Sequence, residues 1–356
     1  VSQSSPVLVS IPLALSLAIC AGCGNNPPGR NSAVLMPTGE APFLSDGTIL
    51  DLRRDGTFAV QTLDGLEVRR LEGSAPRTLF SVATTYGLGS LLVSRGETVA
   101  VASWDQLHTF DGTTVHSESA RLMDALITVE PTDLVQISAL DLGADGALTV
   151  GVTVGGQAGD APYAQLCTLP NSGPGSCEGI DGLDGYGGTS SPLAVVVEGP
   201  RTYLLVGSLL LVREGSGAFA PVLTDRVIDL RTIAGGRVAY VHDLGTSSAL
   251  HILGPDGAEE RQVAGPWFVS GHAASGLYAV SVTSADDGSC SGSWSMCTAP
   301  LVWAQLVVTR YGTATVELGH LDSRPGGELY GYAVLPLPEG GLRIEVDGAV
   351  YEFAAP

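Results

Sequence analysis

Short apolar runs separated by glycine turns recur along almost the whole chain, and this rhythm restricts the fold more than any other feature. In GETVAVASW, Val99 and Val101 point one way while Ala100 and Ala102 point the other; GRVAYVHDL and GLYAVSVTS have the same length and the same alternation. Such alternation is that of a strand, because successive side chains leave opposite faces of an extended backbone. The doublet Asp-Gly stands at positions 46, 55, 64, 111, 145, 181, 184, 256, 287 and 347. At each of these the flanking strands can reverse in a tight antiparallel hairpin. Glycine contributes 47 of the 356 residues, which favours turns over long helices. No segment carries a helical stripe of more than about three turns. The best candidate, Ala120 to Val129, also reads as a strand.

Grouping the hairpins exposes a repeat. Ile228 to Val263 reads IDLRTIA, RVAYVHD, SALHILGPDG and EERQV, four strands joined by three turns. WFVSGHA, LYAVSVT, VWAQLVVT and TATVELG follow in the same order, and GTILDLRRDG, TFAVQTLDG and LEVRRL open the series. Units then start near residues 40, 81, 122, 183, 226, 265 and 321, each about 35–60 residues long, close to the ~40–50 of a propeller blade. Over residues 40–356 the chain resembles the β-propeller superfamily. That resemblance implies an all-β, seven-bladed ring in which each four-stranded sheet buries both faces against its neighbours. The last unit lacks one strand, and Ala33 to Met36 are expected to add it and close the ring. A large β-sandwich or two stacked β domains is the alternative the same rhythm allows.

The amino terminus has a different character. Val7 to Ile19 reads VLVSIPLALSLAI, followed by C-A-G-C-G and the polar segment GNNPPGRNS. The apolar stretch is shorter than the ~20 residues of a membrane-crossing helix and suits the core of an export signal. With Ala21 and Gly22 before Cys23, this region resembles a bacterial lipoprotein precursor. The resemblance implies a signal peptide over 1–22, a diacylglyceryl group on the thiol of Cys23, and a polar linker over 23–39 before the folded domain at 40–356. Gly24 is not aspartate, so by the same resemblance the outer membrane is the expected destination, with the periplasmic or surface side left open.

Besides Cys20 and Cys23 in the export segment, four cysteines form two short-range couples, Cys167 with Cys177 and Cys290 with Cys297. Each couple brackets a Gly- and Ser-rich stretch, as disulfides of an exported protein do. A four-cysteine zinc site is the competing reading, but it normally shows CxxC knuckles that spacings of ten and seven do not provide.

Acidic residues number 37 against 17 bases, all arginine, for a formal net charge of −20. Such a surface repels phosphate backbones, so nucleic acid is not an expected partner. The expected partners are the membrane, through the lipid, and an envelope protein or glycan. His108, His116, His242, His251, His272 and His320 show no compact ligand spacing, and no G-x-S-x-G is present. Alternation sends His242 and Asp243 to opposite faces. No catalytic residue, metal ligand or cofactor is therefore named. Calcium is the strongest weak option, through Asp141 and Asp145 in DLGADG or Asp181 and Asp184 in DGLDG, all of which also read as ordinary turns. The doublets Arg53-Arg54 and Arg69-Arg70 could meet an acidic partner. Binding or scaffolding is the expected role, with Trp267, Trp294 and Trp303 the aromatic residues expected on a recognition rim. A lyase or hydrolase with its site in the central channel is the alternative.

Overall fold

In the computed structural model the described residues run from 34 to 354, apart from 41–47, 53–56, 63–64, 73–74, 84–89, 128, 130–132, 156–162, 181–191, 224–225, 234, 246, 266–277, 287–300, 312–314, 323–331, 337–340 and 347–348. They form seven antiparallel sheets in chain order. Blade 1 is Thr48–Leu52, Thr57–Thr62, Gly65–Glu72 and Ala75–Val82. Blade 2 is Ser90–Arg95, Thr98–Ser103, Gln106–Phe110 and Val115–Ser117. Blade 3 is Leu134–Leu142, Leu148–Gly155, Tyr163–Leu169 and Ser176–Gly179. Blade 4 is Pro192–Glu198, Arg201–Val206, Leu209–Glu214 and Ala220–Leu223. Blade 5 is Val227–Ile233, Arg237–Asp243, Ser248–Leu253 and Glu259–Gly265. Blade 6 has three described strands, Tyr278–Asp286, Leu301–Tyr311 and Thr315–Asp322.

Blade 7 is Tyr332–Pro336, Leu342–Val346 and Ala349–Phe353, completed by Gly39–Glu40 from the other end of the chain. Gly39 pairs with Val350 and Glu40 with Ala349. The Thr38 amide donates to the Val350 carbonyl at 2.7 Å. The ring is thus closed by an amino-terminal strand, but not by Ala33 to Met36. Val34 instead bridges His320 of blade 6, and the Leu35 amide donates to the His320 carbonyl at 2.9 Å. The closing segment therefore crosses two blades, and part of the stretch read as linker belongs to the fold.

The first strand of each of blades 1 to 4 lies beside the first strand of the next, so these strands are innermost. Alternation in the second strands decides which neighbour each side chain meets. Val99 and Val101 pack with Leu66, Val68, Phe80 and Val82 of blade 1. Ala100 and Ala102 pack with Ile137, Val150 and Val152 of blade 3. In blade 4, Leu204 and Val206 face blade 3, whereas Tyr203 and Leu205 face blade 5. Burying a Leu of this kind stabilises the fold by about 1.5–3 kcal/mol, and each interface is built from several. The fold is all-β, a seven-bladed β-propeller.

One segment departs from the strand expectation. Ser119–Ala125 is an α-helix. It packs between blades 2 and 3 with Leu122 fully buried in their shared core. Seven residues give too few turns for a helical stripe to show in sequence, so the helix is held by tertiary packing and not by propensity.

Candidate functional site

The two rims of the propeller are defined by strand direction. At the upper rim the innermost strands begin and the second strands turn into the third. At the lower rim the first strands turn into the second and the third into the fourth.

Two-residue hairpins supply an internal comparison. Arg95 pairs with Thr98, Glu198 with Arg201 and Val206 with Leu209, and the first turn residue in each is glycine. Gly96, Gly199 and Gly207 have φ of 62°, 57° and 59°. Ser103 pairs with Gln106 in the same way, yet the first turn residue there is Trp104, with φ 56°. A side chain in this conformation costs about 1–2 kcal/mol, which is why glycine is the usual occupant. The Trp104 carbonyl accepts a 2.7 Å hydrogen bond from the amide of Ile137 in the innermost strand of blade 3, which seats the turn on the next blade.

The innermost strands of blades 1, 3, 4 and 5 each carry a one-residue register shift near the upper rim, around Leu50, Ser138, Leu193 and Ile228. A bulge re-aims the extra side chain out of the alternating pattern. Leu193 is accordingly 55% exposed and Ile228 41% exposed, although both sit in otherwise buried strands. Leu134 at 68%, Leu244 at 45% and Trp104 at 36% extend the same rim across blades 2 to 5. Tyr163 and Ile127 border it, linked through a 3.5 Å hydrogen bond from the Tyr163 hydroxyl to the Ile127 carbonyl. An apolar rim of this kind gains from leaving water, which is the driving force for seating a partner.

The lower rim is dressed with ion pairs. Arg70 reaches from blade 1 to Glu97 of blade 2 at 3.2 Å and donates to the Gly96 carbonyl at 2.9 Å. Arg95 of blade 2 meets Glu198 of blade 4 at 3.3 Å, passing the intervening blade. Arg201 donates to the Pro255 carbonyl of blade 5 at 2.7 Å, and Arg237 pairs with Glu260 at 2.9 Å. The Arg69-Arg70 doublet is consumed by this scheme, since Arg69 pairs with Glu67 at 2.7 Å.

The innermost strands also carry buried carboxylates. Asp141 accepts a 2.6 Å hydrogen bond from the Val197 amide of blade 4, tying two blades together. Asp229 pairs with Arg231 at 3.1 Å. Asp145 caps its own turn by accepting from the Ala147 amide at 3.0 Å. Asp141 and Asp145 are therefore engaged in separate tasks. A crevice between blades 1 and 2, lined by Leu66, Val82, Ser103, Gln106 and His108, is too narrow to admit a water molecule.

The histidines are dispersed among different roles. Burial pushes the His108 imidazole below its ordinary range. His116 lies 3.3 Å from Asp111. The Asp111 carboxyl is held well below the usual carboxylate range, first by the Thr114 amide and then by the hydroxyl and amide of Thr113. His320 is buried, 3.9 Å from Asp322. His242 and His251 come together in blade 5 with ring centroids 6.1 Å apart.

Cys167 and Cys177 form a disulfide across directly paired strands of blade 3. Cys23, Cys290, Cys297, Trp267, Trp294, His272, Asp181, Asp184, Arg53 and Arg54 lie outside the described residues. Trp303 lies in the strand Leu301–Tyr311 of blade 6. No helix among the described residues is long and apolar enough to cross a membrane.

The fold has parallels among solved structures. A chain of the mitotic checkpoint complex aligns with 93% of this chain and 98% of its own length, at 12% identity and a TM-score of 0.51. YCF48 from Cyanidioschyzon merolae aligns over 88% of this chain and 98% of its own, at 11% identity and a TM-score of 0.43. TolB from Acinetobacter baumannii aligns over 62% of this chain and 55% of its own, at 15% identity and a TM-score of 0.38. At 12% identity the likeness to the first of these is one of fold alone. No protein-family model and no curated protein sequence matches the chain.

Proposed function

We propose that this chain is a bacterial envelope lipoprotein, held by lipid on Cys23, whose propeller binds a partner protein through its upper rim. The observation that carries the binding role is the exposed apolar series Trp104, Leu134, Leu193, Ile228 and Leu244 on one rim of a rigid ring. Trp104 sharpens it, because a bulky residue is retained in a conformation that glycine occupies in three equivalent turns, and such strain gathers at functional positions. The role uses no cofactor. A protein fits the rim better than a glycan does, because Leu134, Leu193, Ile228 and Leu244 offer apolar surface with no side-chain donor or acceptor. The anchor reading rests on the apolar run Val7 to Ile19 and the small residues before Cys23, and the Cys167–Cys177 disulfide suits the oxidising compartment to which it would lead. Diacyl attachment would hold the protein stably where one chain would not. A second bridge, Cys290 to Cys297, and delivery to the outer membrane belong to the same proposal.

The binding role is tested by affinity capture from solubilised envelope, with the chain from Gly24 onward as bait. A partner held by the native chain should be lost by the double variant Leu193→Asp, Ile228→Asp and kept by Arg95→Gln on the lower rim. Equal recovery with the double variant would contradict the role of the rim. For the anchor, Cys23→Ser should move the protein from the membrane fraction to the soluble one, and continued membrane retention would refute it.

A further inference from the structure

Blade 5 carries a polar arrangement that the binding role does not use. His242, His251 and Glu259 stand on its second, third and fourth strands, so His251 lies between the other two in sheet order. His251 Nδ1 is 3.1 Å from Glu259 Oε2. Tyr240, directly opposite in the strand pairing, stacks on the imidazole with centroids 4.6 Å apart and planes within 1°. His251 is only 7% exposed, and its Nε2 is buried without a hydrogen-bond partner.

A carboxylate on Nδ1 places the proton there and leaves the lone pair on Nε2. Buried polar atoms are paired in nearly all folded proteins, and one left unpaired by the protein asks for a water, an ion or a functional role. A carboxylate behind one imidazole nitrogen, with the other nitrogen left as an acceptor, is how proteins orient a histidine toward a metal. With metal–nitrogen bonds of about 2.0–2.1 Å, two imidazoles on one ion place their centroids about 5–6 Å apart. The 6.1 Å separation of His242 and His251 lies just beyond that span, so a small ring rotation brings both nitrogens onto one ion. His242 is less buried than His251, so the open side of the pair lies at His242.

From this geometry we infer that His242 and His251 form a binding site for a divalent transition cation of the zinc, copper or nickel class, with Glu259 orienting His251 and water completing the coordination. Imidazole nitrogen selects these ions over calcium and magnesium, which prefer oxygen. Glu259 acts through His251 and is a positioning residue. No group of three ligating side chains exists among the described residues, so this is a two-imidazole site with exchangeable water, open to added ligands.

The test uses the untagged chain, stripped with a chelator and titrated with Cu²⁺ alone. One equivalent should bind with electron paramagnetic resonance couplings from two imidazole nitrogens. His242→Ala, on the more open ring, should remove the second nitrogen coupling, and His251→Asn should abolish the site. Glu259→Gln should weaken affinity by about 10–100-fold while preserving both nitrogens. Binding that is unchanged in His242→Ala, or that shows couplings from one nitrogen only in the native chain, would overturn the assignment. Circular dichroism of each variant separates loss of the site from loss of the fold.

Discussion

The upper and lower rims are made by the same strands and differ in what those strands present. At the lower rim, arginines bridge from blade to blade, as Arg70 does to Glu97 and Arg95 to Glu198. At the upper rim, bulges turn Leu193 and Ile228 outward, and Trp104 takes a turn position that glycine holds at 96, 199 and 207. Each exposed ion pair contributes about 0–1 kcal/mol, so the lower rim is closed mainly by saturating its charges with local partners. The upper rim leaves apolar side chains facing water, which is unfavourable for the isolated chain and favourable once a partner covers them. One ring thus separates a finished surface from an unfinished one.

Both rims depend on the packing between blades, and the largest effect comes from disturbing it. Leu204→Ala, at the fully buried interface of blades 3 and 4, should cost about 2–5 kcal/mol in denaturant unfolding. A change below 1 kcal/mol, about what conservative surface changes give, would mean that the interface is looser than described. The comparison between rims is addressed directly by Leu193→Asp with Ile228→Asp. Partner affinity should fall at least ~30-fold, about 2 kcal/mol as for a hot spot, with little change in the melting temperature. A parallel loss of folding would remove the distinction between the two surfaces.

Alkaline pH examines the packing of blade 5 from another side. Burial, and then the charge of Glu259, pushes the Tyr240 phenol up to about 12. The unfolded chain ionises near 10, so between about pH 10 and 12 the unfolded state has lost a proton that the folded state keeps, and stability falls as pH rises. The loss should be on the order of 2 kcal/mol and should be absent from Tyr240→Phe in melting curves across that window. A smaller effect is expected at Gly207. A methyl group there meets nothing within 4 Å, so Gly207→Ala should cost only the conformational strain, about 1–2 kcal/mol. A larger loss would make the tolerance of Trp104 at the equivalent position hard to explain. Smallest of all is Arg95→Gln, expected to cost at most about 1 kcal/mol and to leave partner binding unchanged.

Much of the architecture was legible because alternation and packing obey the same rule. Val99 with Val101 and Ala100 with Ala102 separate onto opposite blades as their order in the chain demands. Ser119–Ala125 was only half legible: Ala120 to Val129 was the best helical candidate but read equally as a strand, because a single short helix buries Leu122 without a repeating stripe. The closing strand was misplaced by a few residues, since Val34 and Gly39 both pair but with different blades, and two-residue pairings leave little pattern. Of the site, almost nothing showed in advance. Leu193 and Ile228 are exposed only because the register slips beside them, and the chain carries no local mark of a bulge. Trp104 had one available signal, a large residue where the turns at 96, 199 and 207 hold glycine, and that signal exists only once the hairpins are aligned. His242 and His251 meet through strand pairing, which spacing along the chain does not reveal.

Recognition at the upper rim can be probed by site-specific photo-crosslinking in intact cells. A photoreactive aromatic residue would replace Leu193 on the upper rim or the exposed Ser216 on the lower rim. A discrete crosslinked species is expected from position 193 and none from position 216. Crosslinking from position 216 alone, or to equal extent from both, would contradict it.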